Sequence, residues 1–462
     1  MTDLPQGTDY VPASSLRIDQ TEELRDAVRG PVLHPGDPGY DEARTVWNAA
    51  IDRHPALIVR CTGAADVVAA VRFAAARQLP IAVRGGGHNV AGNGVCDGGL
   101  LIDTSGMKGV RVDAANRMAR AAAGVTWGEF DHETQAFGLA TTGGICSETG
   151  IAGVTLGAGF GWLMRKYGTS LDNLLSFDIV TPDGELRRAS PTKNDDLFFA
   201  VRGSQSNFGV VTSLEYRLHA VGPMVLAGMV LHPLSAGPDV LEFYRKFAAG
   251  APEELGSAVV FLTAPDGNAA VALLVCYHGP VEAGEEVIAP ARSFGPPLVD
   301  MIQRMPYTTW QSAFDQSFPA GRFNYWKSGF LKELSDDVIA GLVEGFRDAG
   351  SAYSTILIEH LGGAVARVGK HEAAFSHRNH RYNCVIMPMW TDPAESARHT
   401  DWANRIWDTI QADASKDVYV NYLGNEGTNR VEAAYGGNYE RLRDLKATYD
   451  PENLFRFNQN IT

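Results

Sequence analysis

The chain has 462 residues, 45% of them hydrophobic and 20% charged, with a formal net charge of -14, a globular composition too long for a single core and best read as two domains. The acidic balance and the lack of any basic stretch exclude nucleic acid and an anionic membrane surface as natural partners. Met1 to Leu16 shows no basic start followed by an apolar core, and no run of 18 apolar residues occurs, so the expectation is a cytoplasmic protein that acts on small molecules.

Residues 57 to 83 read as a β-α-β unit. The apolar run Leu57-Ile58-Val59 comes first, then a helix with Thr62 as its cap and Asp66 near its N-terminus. Val67, Val71, Ala74 and Ala75 give that helix its buried face, and a strand follows at 81 to 83. This strand runs into Arg84-Gly85-Gly86-Gly87-His88-Asn89-Val90-Ala91-Gly92. Three glycines in succession let backbone N–H groups approach a phosphate or a flat ring, and His88 stands alone as a nucleophile. A structural glycine turn with a surface histidine is the competing reading of this stretch taken alone. Leu100 to Asp103 and Met118 to Ala122 read as strands and Trp127 to Phe137 as an amphipathic helix, so the first 140 residues are expected to form one small α/β lobe.

A second glycine-dense stretch spans 141 to 161 and holds Thr142, Gly143, Gly144, Cys146, Gly150 and Gly153. Its glycines at 157, 159 and 161 give G-x-G-x-G with no strand-turn-helix context, which excludes a dinucleotide fingerprint and a Rossmann fold. The five cysteines (Cys61, Cys96, Cys146, Cys276, Cys384) are odd in number and never form C-x-x-C, which excludes a disulfide framework and a zinc site. Between 222 and 415, strand-like runs at Val225 to Leu231, Ala258 to Thr263, Ala270 to Tyr277, Asn324 to Leu331, Ser354 to Glu359 and Asn383 to Met387 alternate with helical patterns at Val240 to Ala249, Asp336 to Asp348 and Glu395 to Ala414. These predict an antiparallel sheet with helices on one face.

The loop R-G-G-G-H-N-V-A-G (84 to 92), G-G-I-C-S-E-T-G-I-A-G (143 to 153), G-W-L-M-R-K-Y-G-T-S-L-D-N-L (161 to 174), N-F-G-V-V-T (207 to 212), and the C-terminal Y-V-N-Y (419 to 422) with the motif at 435 to 461 resemble the berberine bridge enzyme-like oxidases of the vanillyl-alcohol oxidase superfamily. The resemblance implies an α+β fold with a two-lobed PCMH-type FAD-binding domain, formed by residues 1–221 and 416–462. An inserted substrate domain, 222–415, would be built on an antiparallel sheet covered by helices. It implies FAD attached twice, His88 to the 8α carbon and Cys146 to C6, since imidazole and thiolate are both competent nucleophiles. Arg84, Gly85, Gly86, Gly87, Asn89, Gly92, Thr142, Gly143, Gly144, Gly150, Gly153, Gly209, Val211, Asn421 and Asn458 would complete the cofactor site. Asp172 and Asn173 either touch FAD or brace the loop. The turn Arg202 to Asn207 departs from the family's longer glycine run, which leaves its contact with the adenine end open.

In such oxidases the second tyrosine of Y-x-N-Y takes the proton while hydride goes to flavin N5. Here it is Tyr422, with Tyr419 beside it. A phenol of reference pKa about 10 serves only if something stabilises its phenolate, and the sequence does not show what. Relatives place a glutamine or glutamate on the strand ending near Trp390, but Cys384 to Met389 offers none, leaving Glu359, His360 or Tyr382 as substitutes. Thr149 stands where a valine admits oxygen and a leucine excludes it, which implies an oxidase producing H2O2. The histidines at 371, 377 and 380 resemble a metal site in composition only, and no metal is expected. The substrate would be a hydroxyl-bearing sugar or specialised metabolite. Oxidative ring closure or C–C or C–N bond formation is an alternative outcome, and a drug-binding or reoxidising resistance protein an alternative class. Tyr307, Trp310, Phe323, Tyr325 and Trp326 are the aromatic candidates for a pocket or for ordinary core.

Overall fold

The structure is a computed structural model that describes residues 21–462; the segment Met1 to Leu16, read above for a leader, lies outside them. Three strands, Leu57–Arg60, Leu100–Asp103 and Ile81–Arg84, lie parallel in that spatial order, with Val32–Leu33 antiparallel on the outer edge. Their residues are nearly all buried, as a parallel sheet covered on both faces requires. The helix Ala64–Ala76 covers one face through Val67, Ala70, Val71 and Ala74. Its N-cap is Gly63 and not Thr62. No side chain caps it; Asp66 instead ties the preceding chain to the helix start, its carboxylate accepting from the backbone N–H of Arg29, Gly30 and Thr62 and from the Thr62 hydroxyl.

The strand Met118–Ala122 does not belong to that sheet, so the first 140 residues are not one self-contained lobe. It pairs instead with Val210–Arg217 in a second, five-stranded antiparallel sheet that also holds Val110–Asp113, Leu174–Val180 and Leu186–Ala189. Pairing across some ninety residues of chain leaves no local periodicity for sequence reading to detect. The helix that follows, Trp127–Gln135, starts where its residues dictate. Thr126 and Glu129 form a reciprocal capping box, and Trp127 and Phe130 are buried against Tyr216.

The chain then builds an eight-stranded antiparallel sheet. Its main path runs Val299–Asp300, Met224–Pro233, Ala269–Tyr277, Leu255–Thr263, Thr355–His360, Tyr382–Met387, Lys327–Leu331, and Gln303–Pro306 pairs with Met224–Pro233. Alternation divides each strand between two faces. Val259, Phe261, Val271, Leu273, Ile356, Ile358 and Ile386 meet the helices Gly237–Gly250, Asp336–Arg347 and Ser396–Ile410. Ala258, Ala272, Leu274, Leu357, Val385 and Met387 turn the other way, toward Trp162, Leu163 and Trp310. Each fully buried Leu, Ile or Phe contributes about 1.5–3 kcal/mol, so both faces are held firmly. The run expected as one strand from Asn324 is split into Phe323–Asn324 and Lys327–Leu331. A further helix, Val281–Ser293, carries Pro290 in its interior, a residue that argues against helix in sequence. Among the described residues no helix is long and apolar enough to cross a membrane.

Candidate active site

The His88 loop leaves the C-terminal end of the parallel strand Ile81–Arg84, the edge where α/β sheets present ligands. At the strand's last position Arg84 lies beside Asp103 in register, and its guanidinium donates to Asp103 Oδ2 at 2.6 Å. With Arg60 at 3.3 Å from the same oxygen, the buried Asp103 carboxylate is fully matched. Arg84 therefore braces the strand end. The next turn crosses the second glycine-dense stretch at contact distance. A Cβ on Gly86 would stand 2.5 Å from the Gly150 nitrogen, and one on Gly150 would stand 2.6 Å from the Gly86 nitrogen. Only two glycines allow this crossing, and it brings the loops of His88 and Cys146 to one wall.

That wall bounds a cavity of about 1500 Å³, its open mouth included. Of the residues singled out in the sequence, Arg84, Gly85, Gly86, Gly87, His88, Asn89, Gly144, Cys146, Gly150, Gly153, Gly209, Val211, Tyr419, Asn421, Tyr422 and Asn458 line it. Gly92, Thr142 and Gly143 do not. Gly92 has φ +71° in a turn where a Cβ would strike Ile51, and its carbonyl accepts from Arg53. The Thr142 hydroxyl donates to the Gly168 carbonyl at 2.7 Å, and Gly143 is pressed against the Trp127 ring. The lining also includes Trp47, Asn93, Phe318, Leu357 and Met387, which no motif marked, and Gln205 and Ser206 of the turn left open above. Gln205 adopts φ +59° and donates to Asn421 Oδ1 at 2.8 Å, a conformation that sequence composition does not announce for glutamine.

Burial pushes the His88 imidazole down to about 4, against a smaller opposing effect of Asp315, so it is neutral and its lone pair available at ordinary pH. Trp47 stacks on it, with ring centroids 5.5 Å apart and planes 20° from parallel. Cys146 differs from the thiolate that sequence reasoning invoked. Burial, with the carboxylates of Asp315 and Glu148, pushes its thiol up to about 12. Asp315, on the short 3-10 turn Asp315–Ser317, holds the Cys146 loop through Ser147, accepting from its backbone N–H at 2.8 Å and its hydroxyl at 2.5 Å. The Thr149 hydroxyl donates to the Cys146 carbonyl at 2.7 Å. The other four cysteines are free and buried, as core residues.

Tyr422 approaches from the short 3-10 turn Val420–Tyr422, while Glu359 comes from the strand Thr355–His360. The phenol donates to Glu359 Oε1 at 3.3 Å, and Asn383 donates to Glu359 Oε2 at 2.7 Å. Burial pushes the Glu359 carboxyl up to about 7. Burial first, then the nearness of Glu359, Tyr419 and Cys146, raises Tyr422 well above an ordinary phenol. Of the three substitutes considered in sequence, Glu359 is the one hydrogen-bonded to Tyr422. His360 is held by the Arg165 guanidinium and pushed down to about 3 by burial, Arg165 and Arg381, and Tyr382 packs toward the helices. The Tyr419 hydroxyl accepts from the Gly159 N–H at 2.9 Å and from Asn421 Nδ2 at 2.8 Å, and its ring stacks on Phe160. These contacts make it a brace for the turn that carries Tyr422.

Asp172 and Asn173 also brace. Arg378 donates to both Asp172 oxygens at 2.7 and 2.9 Å, and Asn173 Nδ2 donates to the Tyr167 and Thr169 carbonyls. His371 pairs with Asn438, away from the other two histidines, which share the Asp417 carboxylate at 3.4 and 2.7 Å.

Two polar atoms in the cavity wall, Asn93 Nδ2 and Asn458 Oδ1, are buried without a protein partner, and a Cβ on Gly153 would enter open space. A long cavity with close-approaching glycine backbone and unmet amide groups fits a flat polar molecule of FAD's kind. The comparisons agree. A family model described as an FAD binding domain matches residues 55–190, and one described as berberine and berberine like matches residues 418–462. An FAD-linked oxidoreductase of Dictyostelium discoideum is 32% identical over 95% of this chain and 96% of its own. The structure of 6-hydroxy-D-nicotine oxidase from Arthrobacter nicotinovorans is 28% identical with TM-score 0.87, covering 94% of this chain and 98% of that one. A berberine bridge enzyme-like protein of Physcomitrella patens, 24% identical, shares the fold with TM-score 0.88 over 96% and 99% of the two chains. The chain belongs to the berberine bridge enzyme-like family of FAD-linked oxidoreductases. Its activity is accordingly that of an FAD-dependent oxidoreductase.

Proposed function

We propose that the protein is an oxidase holding FAD through two covalent bonds, His88 to the 8α carbon and Cys146 to C6, and that it oxidises a carbon bearing a hydroxyl or amine. The observation that carries the reading is the Tyr422–Glu359 pair in and behind the wall that also holds His88 and Cys146. When bound, FAD supplies the hydride acceptor at N5, and O2 is the terminal oxidant, giving H2O2.

The chain's own residues handle the proton. A phenolate at Tyr422 is disfavoured, because the phenol is buried and its neighbour Glu359 is a carboxylate. Tyr422 instead acts as a relay: its oxygen takes the substrate proton as its own hydroxyl proton moves to Glu359 Oε1. A carboxyl poised near 7 suits the acceptor role at neutral pH. The 3.3 Å separation is long for O–H···O. Asn383 keeps the carboxylate aimed. Thr149, with its hydroxyl turned to the Cys146 carbonyl, supports oxygen access at the wall.

Acid denaturation of the purified protein tests the attachment. The wild-type precipitate stays yellow, His88→Ala and Cys146→Ala each retain colour through the remaining bond, and the double variant releases it. Release of all colour from the wild type would overturn the reading.

A further inference from the structure

Outside the residues that line the cavity, the loop between the helix Ala364–Arg367 and the strand Tyr382–Met387 brings His377 and His380 to Asp417, two positions before Tyr419. Among the described residues this is the one group of three His, Cys, Asp or Glu side chains whose ligand atoms converge, all within 4.8 Å of one another. His377 Nε2 donates to the Ala434 carbonyl at 2.9 Å. A carbonyl only accepts, so this nitrogen carries the ring's proton, and a neutral ring turns the lone pair of Nδ1 toward Asp417 Oδ2 at 3.4 Å. Two acceptors that face each other call for a cation between them. A second proton on the ring fits poorly, because a charged N–H···O bond closes to about 2.7–2.9 Å. A zinc ion fits well, since ligands about 2.0–2.1 Å from a tetrahedral centre stand roughly 3.3 Å apart.

His380 supplies the third ligand. Its Nε2 lies 2.7 Å from the same Asp417 oxygen, and its ring stacks on Phe330 with centroids 4.6 Å apart and planes 10° from parallel. When an ion replaces that hydrogen bond, His380 carries its proton on Nδ1, and a small rotation of the ring opens the spacing to that of a ligand pair. The Ala434 carbonyl already holds His377 as metal-bound imidazoles are held, by the ring nitrogen turned away from the ion. The His380 and Asp417 side chains are 15% and 35% exposed, which gives an ion its entry and a water the fourth position. We propose that His377 Nδ1, His380 Nε2 and Asp417 Oδ2 form a site for a divalent ion of the zinc kind, selected over Mg2+ and Ca2+ by its two imidazoles. The ion fastens the segment that carries Tyr419 and Tyr422 to the loop before Tyr382–Met387. The sequence expectation of no metal weighed His371, His377 and His380 together; the structure parts His371 from the other two and puts Asp417 in its place.

The test uses the holoenzyme, dialysed against EDTA and titrated with Zn2+ in a calorimeter. One equivalent should bind, and at a hundredfold excess over Kd the melting temperature should rise by about 3 °C, with Mg2+ giving neither effect. Asp417→Asn and His380→Ala should each weaken binding at least tenfold, whereas His371→Ala, outside the cluster, should leave it unchanged. X-ray absorption at the zinc edge reads the ligands of the wild type without any variant, and two imidazoles should appear in the shell. No zinc binding by the wild type, undiminished binding by the Asp417 and His380 variants, an equal loss in His371→Ala, or a shell with fewer than two imidazoles overturns the site. None of these readouts depends on the proposed oxidation at Tyr422.

Discussion

Glu359 and Tyr422 illustrate how far single residues can be read. The tyrosine stands in a motif and is visible in sequence; its partner is one of three polar residues that periodicity could not separate. What separates them is strand pairing, since Glu359 lies opposite Asn383 in register and shares the face of Leu357. The pair makes two expectations. Glu359→Gln should lower the rate of chromophore reduction by ~10²- to 10³-fold, the usual weight of one acid or base group, measured by anaerobic stopped flow, and Tyr422→Phe should act similarly. Because the carboxyl must be ionised to accept the proton, the wild-type rate should rise with pH through about 7. Glu359→Gln should show no such rise, and an unchanged profile would remove Glu359 from the proton path.

At the scale of elements, Asp131 of the helix Trp127–Gln135 is buried. It accepts from Gln311 Nε2 at 3.1 Å through one oxygen, while its other oxygen has no partner. Burial pushes its carboxyl up to about 7. A folded-state pKa above the unfolded one means that its contribution is fully present below about 4 and is lost as pH rises to about 7, by about 1.4 kcal/mol per pH unit. Asp131→Asn removes this loss, so its melting temperature should exceed the wild type's at pH 8 and match it near pH 4. Where one or two neighbouring residues set an element, sequence suffices: Thr126 and Glu129 start this helix, and Ser335 starts Asp336–Arg347 by accepting from the Val338 N–H. It fails where packing decides, as where Pro290 sits inside the helix Val281–Ser293.

At the scale of the molecule, the C-terminal segment is fastened by a buried ion pair. Lys446 donates to Asp450 Oδ2 at 2.7 Å and to the carbonyls of Asn207 and Phe455. Lys446→Met leaves the Asp450 carboxylate buried without its cation and should destabilise by about 3–5 kcal/mol in urea unfolding, whereas Lys446→Met with Asp450→Leu should recover much of that. The sheet of the second lobe was legible because its strands follow one another with clear alternation. The division of the first lobe into two sheets was not, because Met118–Ala122 waits for Val210–Arg217. Likewise the glycine loops announced themselves by composition, whereas Trp47, Phe318, Leu357 and Met387 reach the cavity only through the folded arrangement of the lobes.

Tyr422 and Glu359 stand more than sixty positions apart, one on a short turn and one on a sheet strand. On the proposed relay, the two glycine loops by themselves offer a proton no route, and one opens only where that turn docks on the strand.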